Sequence, residues 1–192
     1  MLKEFIEFVD DIIPSISIQK TSDLKKALEQ FRKDGDNPAF MMPSPLEEVS
    51  QGDIITNVKF TYISEDGNFK VLNHDGMLLS TSCHIDQKDK LVVVPVLPLT
   101  SFNGNLNDLK NNKIFDFMYI PDPCMKDKFI NFEIVNSISR KLIISALADN
   151  KIQRIGSLNT LGYYLLLTKL TIYFMRREDD VTYNMRLNYS PK

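Results

Sequence analysis

The chain has 192 residues, 43% of them hydrophobic and 25% charged, with a formal net charge of −2 and a pI of about 5.7. A chain of this length buries a core without disulfides or metal. The balance excludes wholesale disorder and gives no sign of the broad basic surface that non-specific nucleic-acid binding needs.

Residues 2–13 place Leu2, Phe5, Ile6, Val9 and Ile12/Ile13 on one helical face, and Pro14 stands where that helix would stop. A second helix is expected from "TSDLKKALEQFRKDG", capped by Ser22 and ended near Gly35. Both read as a lid on the main domain or as a partner-binding arm. "GDNPAFMMPSPLEEVSQG" reads as an extended connection because of its prolines.

A β-rich block opens at Gly52. "DIITNVKFTYIS" is rich in β-branched and aromatic residues, and Asp66-Gly67 is a hairpin signal. "FKVL" returns, "NHDG" is expected to turn again, and "MLLS" runs up to the polar connection Ser80–Lys90. "KLVVVPVLPL" is nearly continuous in apolar residues, which predicts a strand covered on both faces. Pro95 and Pro98 point to an edge position or a bulge late in it. An Asn-rich loop follows, then "IFDFMYIPDP" as a strand and "FINFEIVNSISRKLI" as a strand passing into a turn or helix. The last strong element is a helix starting near Ser157, where Lys169 is the only charge between Ile155 and Met175. Its polar residues predict a buried core helix rather than a membrane span. The tail "REDDVTYNMRLNYSPK" reads as partly disordered. Short strands, tight turns and flanking helices together predict an α+β protein with a small curled sheet or barrel.

The reactive side chains cluster in "STSCHIDQKD". Cys83-His84 invites a nucleophile–base reading, with Asp86 or Asp75 orienting the imidazole. The plainer reading is a small buried thiol at a strand end. Cys83, His84, His74 and Cys124 lack the close ligand spacing of structural zinc sites, so no metal is expected. Aspartates 66, 86 and 89 and Glu65 read as solvated turn residues rather than acid–base partners. Phe60, Tyr62 and Phe69, interleaved with Lys59 and Lys70, would either stack unpaired bases or fill the core. Arg176 and Arg177 suit the negative end of the last helix. No glycine is followed by the Lys-Ser/Thr of a phosphate loop, so no nucleotide cofactor is expected. Two cysteines and an acidic, amphipathic N-terminus predict reduced thiols in the cytoplasm.

"QGDIITNVKF", "GMLLSTS" and "DKLVVVPVLPLTS" together resemble the MazF/PemK-like toxin superfamily over about residues 51–101. "RIGSLNTLGYYLLLTKLTIYFMR" looks like the helical extension of larger bacterial and phage relatives, which carry a Cys-Asp pair where this chain reads Cys83-His84-Ile85-Asp86. The resemblance implies a small SH3-like barrel over residues 50–135. An N-terminal helical segment and linker over 1–49 would precede it, with a helical extension over 136–178 and a tail over 179–192 following.

Established members are dimeric, metal-independent endoribonucleases acting on single-stranded RNA. They use an arginine in an Arg-Pro dipeptide just before the Val/Leu-rich strand and a Thr or Ser after the next strand. Here Asp75-Gly76 occupies the Arg-Pro position, and no arginine lies between Arg32 and Arg140. Thr100 and Ser101 match the hydroxyl position if "LPLTS" sets the register, whereas Leu97 falls there if Pro95 is the matching proline. Without the arginine, the resemblance implies a binding or accessory module of a bacterial or phage system. Its loop residues Ser80, Ser82, Cys83, Asp86 and Lys88 would face a partner protein, an antitoxin-like protein or single-stranded RNA. The alternative it implies is a divergent endoribonuclease using Thr100, Ser101 and His84. A homodimer in the cytoplasm, with no membrane contact and no cofactor, completes the expectation.

Overall fold

The computed structural model describes residues 5–7, 29, 39–175 and 179–188. Most of the two expected N-terminal helices lies outside that range. Within it, residues 5–7 are helical, and Phe5 and Ile6 are buried in the core.

The sheet begins with β1 (Ile54–Ile63) and β2 (Phe69–Leu78), joined by the expected hairpin. Ser64 N–H donates to Asn68 O across the turn at 2.9 Å. Gly67 there has φ +75°, a conformation other residues enter only at a cost. The chain continues through α1 (Ser82–Gln87), β3 (Lys90–Pro98), α2 (Leu106–Lys110), β4 (Phe117–Met118), β5 (Lys128–Asn131) and β6 (Asn136–Ser139). It then runs through α3 (Arg140–Ala148), β7 (Arg154–Gly156), α4 (Thr160–Met175) and α5 (Asp180–Leu187). This is a mixed helix and antiparallel-sheet fold, as the element pattern predicts. The sheet has seven strands in the order β4-β5-β3-β2-β1-β7, with β6 also paired to β3.

β3 organises the sheet. Its alternating side chains enter two cores: Leu91 and Val93 join Ile55, Val58, Phe60 and Leu78, whereas Val94 and Val96 join Ile54, Met77 and Ile130 under α4. Both faces are thus covered, as its continuous apolar run predicts. The prolines do not put it at an edge, however. β3 pairs with β2 on one side, and on the other with β6 through Lys90–Val93 and with β5 through Val96–Pro98. Val94 and Pro95 fall between those two registers. The missing N–H of Pro95 therefore leaves no rung unfilled, which is how a proline is carried inside a sheet.

The inner core is enclosed by a sheet that curls without closing. Among the described residues no strand pairs β4 with β7. Instead the Asn136 side chain bridges from β6 to β1. Its Oδ1 accepts from Thr61 N at 2.8 Å, and its Nδ2 donates to Thr61 O at 3.0 Å. The amide thus copies the bonding pattern of a neighbouring strand. Ile85 of α1 and Ile143 of α3 seal this core.

Asp53, fully buried, anchors the linker. Its carboxylate accepts from Ser157 Oγ at 2.5 Å, from Ser50 N at 2.8 Å and from Arg154 Nη1 at 3.1 Å. Arg154 in turn donates to the carbonyls of Leu46, Glu47 and Glu48. The Gly-Asp that opens the β-rich block therefore serves as scaffold.

α4 is the expected buried helix, with Leu161, Leu165, Leu166 and Ile172 inside. No helix among the described residues is long and apolar enough to cross a membrane. The described part of the tail contains α5, capped by Asp179, which accepts from Thr182 N at 2.9 Å.

Candidate functional site

"NHDG" does not turn. β2 runs straight through Asn73–Gly76. These residues have turn composition for other reasons. Gly76 is where β2 crosses the crowded interior, and a Cβ there would stand 2.8 Å from Val93 Cγ1 and 2.9 Å from Phe60 Cζ. Asn73, His74 and Asp75 line a cleft of about 410 Å³ together with Thr56, Asn57, Val96, Pro98 and Lys128.

A bulge in β1 builds one wall. Ile55 pairs with Gly76 and Val58 with His74, so three steps on β1 oppose two on β2. The extra residue lets Ile55 and Val58 both face the inner core, and Asn57 takes φ +56° to accommodate it. Asparagine tolerates that left-handed conformation better than most residues. The neighbouring loop pins the bulge: Thr56 N donates to Gln153 O at 2.8 Å, and Gln153 N donates to Thr56 Oγ1 at 2.9 Å.

Polar groups converge on the cleft. Asn73 Nδ2 donates to Asn57 Oδ1 at 2.8 Å, which fixes both amides and leaves Asn57 Nδ2 and Asn73 Oδ1 open to solvent. Lys128 Nζ of β5 donates to Asp75 Oδ2 at 2.7 Å. This pair is half-buried, so the cleft carries matched charges. The His74 side chain is half-buried and lines the cleft. Val96 and Pro98 provide an apolar floor.

The cleft opens onto an exposed strip. Asn73, Val71 and Phe69 alternate onto one face of β2, opposite Lys59, Thr61 and Ile63 of β1. Ile63 is 72% exposed, Phe69 69% and Val71 58%. Of the aromatic residues considered for base stacking, Phe60 is fully buried and belongs to the core.

The loop residues singled out from sequence lie elsewhere. The connection Ser80–Lys90 contains α1, held by Ile85 in the inner core. Ser80 is buried and accepts from Val92 N at 2.8 Å, so it fastens the connection to β3. Ser82, His84, Asp86 and Lys88 are exposed on or beside α1, and Cys83 lies in its first turn. Thr100 and Ser101 are exposed in the single 3-10 turn Leu99–Ser101 that follows β3, where Ser101 Oγ donates to Pro98 O at 2.7 Å. His84 and Thr100 therefore sit at opposite ends of β3. Nine strand residues separate them, about 30 Å at roughly 3.3 Å each. Thr100 and Ser101 lie just beyond Pro98, at the cleft end.

Burial, with Asp122 beside it, pushes the Cys124 thiol up to about 11, far from a reactive thiolate. No three His, Cys, Asp or Glu side chains among the described residues gather as metal ligands would. The cleft residues Asn57 and Lys128 were not visible as site residues in the sequence. One signal was available: a run of polar residues between two apolar stretches of what proves to be one strand.

No family model and no curated protein matches the chain. A solved structure, the crystal structure of MazE-MazF (Form-III) from Deinococcus radiodurans, is similar at a TM-score of 0.37 and 9% identity, over 65% of this chain and 92% of that one.

Proposed function

We propose that this chain is a binding module of a bacterial or phage system, built on an SH3-like, toxin-like barrel without the usual catalytic arginine. Its recognition surface is the β1–β2 cleft and the adjoining strip, and its ligand is a segment of a partner protein. The observation that carries this reading is the continuity of the strip Ile63-Phe69-Val71 with a cleft rimmed by open amide groups. Exposed apolar side chains beside fixed hydrogen-bonding groups suit a peptide, whose backbone supplies amides and whose side chains supply apolar contact. The charges favour a peptide over RNA. The cleft's lysine is already neutralised by Asp75, and phosphate binding depends on uncompensated cations. Binding is also supported over cleavage by the distance from His84 to Thr100 along β3.

The test is co-purification of the tagged chain, after cross-linking, from the cells that carry it, with single-stranded RNA assayed in parallel. A stoichiometric polypeptide is expected, retained by the wild type, reduced at least tenfold by Phe69→Glu and by Asn57→Ala with Asn73→Ala, and unaffected by His84→Ala. RNA should remain intact with and without chelator. RNA cleavage that disappears in His84→Ala or Thr100→Ala would overturn the reading in favour of the ribonuclease. A partner indifferent to the cleft and strip variants would overturn the assigned surface.

A further inference from the structure

Helix α4 carries one charged residue type into the core. Lys169 is fully buried. Its Nζ donates to Asn112 O at 3.2 Å and to Ile114 O, both in the connection between α2 and β4. No carboxylate among the described residues comes within ion-pairing distance of it. Among the described residues, titratable groups on the neighbouring elements include Asp116 and Lys113 on the connection, Glu133 after β5, and Tyr163, Tyr164 and Tyr173 on α4 itself. Asp116 acts on Lys169 only through space.

The donor count is informative. An ammonium presents three protons, and two carbonyls receive it here. A neutral amine presents two, and the two carbonyls can take both, whereas the ammonium's third proton has no acceptor among the described residues. An unpaired buried ammonium is costly to hold. The connection it grips is itself constrained. Asn112 is buried at φ +57°, its Oδ1 accepting from Tyr119 N at 2.8 Å and its Nδ2 donating to Tyr119 O at 2.9 Å. The segment is held further along by Phe132 N, which donates to Asp116 O at 2.9 Å, so releasing the Lys169 bonds would remove two of its several ties.

We propose that Lys169 is a proton-operated clasp: as a neutral amine it ties the α2–β4 connection to helix α4, and on protonation it loosens that attachment. Burial lowers Lys169 to about 7, an effect Asp116 partly offsets, which agrees with the geometry. Linkage gives the sign. The unfolded chain holds the lysine proton up to about 10.5, whereas the folded chain gives it up near 7. Between those values the unfolded state binds more protons, so stability rises with pH through that window.

The experiment is an NMR titration of the full wild-type chain with ¹³C-labelled lysine, assigned through bonds so that no variant need fold. The expected result is a Lys169 midpoint two or more pH units below the other lysines, with the Ile114 and Phe115 amide shifts following the same midpoint. In parallel, the urea midpoint should climb from pH 7 to pH 10, and Lys169→Met should flatten that climb. A Lys169 resonance that titrates with the surface lysines would overturn the proposal. So would connection amides that do not move with it.

Discussion

At Gly76 the absence of a side chain lets β2 cross Val93 and Phe60. Alanine there would gain intrinsic strand stability of roughly 0.5–1 kcal/mol over glycine. That gain is outweighed because the new methyl would press on β-branched and aromatic side chains with little room to retreat. Gly76→Ala is expected to lower stability by about 1–3 kcal/mol, read as a shift of the urea midpoint at unchanged slope. An unchanged or raised midpoint would mean that the interior yields. The same position shows why the site was hidden. Asn, His, Asp and Gly in a row are turn formers by composition, and only tertiary contacts reveal that each is kept for a different reason. Asp75 meets a lysine 53 residues away, and no local pattern encodes that.

At the scale of elements, the legible parts were those set by periodicity or by a turn dipeptide. The β1–β2 hairpin followed from Asp66-Gly67, the coverage of β3 from its apolar run, and the burial of α4 from its width of apolar residues. α1 was not legible, because a helix of six residues anchored by Ile85 leaves no repeat to count. The two-sided pairing of β3 was also missed, since its prolines argue for an edge until the gap between β6 and β5 is known. The join between β6 and β1 depends on Asn136, 75 residues from Thr61. Asn136→Ala removes bonds to both backbone groups of Thr61, each worth roughly 0.5–1.5 kcal/mol net. A loss of about 1–2 kcal/mol is expected, with faster amide exchange at Thr61. Unaltered exchange there would show that the bridge carries no strain-bearing role.

Across the whole molecule, the two larger cores share β3: Leu91 and Val93 enter one, Val94 and Val96 the other, while Leu97 packs separately with Leu109 and Phe129. Neither can empty without moving that strand. Chemical unfolding followed by Phe60-side and α4-side probes, such as fluorine-labelled phenylalanine and helical circular dichroism, should give superimposable transitions. Two separated midpoints would show that the cores are independent units. The α+β class was readable from the order of elements alone, whereas the open path of the sheet was not, because closure depends on which strand ends meet in space.

The gap between the β6 and β5 registers at Val94 and Pro95 also has a mechanical meaning. β5, which brings Lys128 to the cleft, and β6, which brings Asn136 to the seam, are fastened to β3 on opposite sides of that gap and share no rung there. Displacing Lys128 from Asp75 would therefore load the β5 side of that gap and β2, and not the β6 side, where Asn136 holds Thr61.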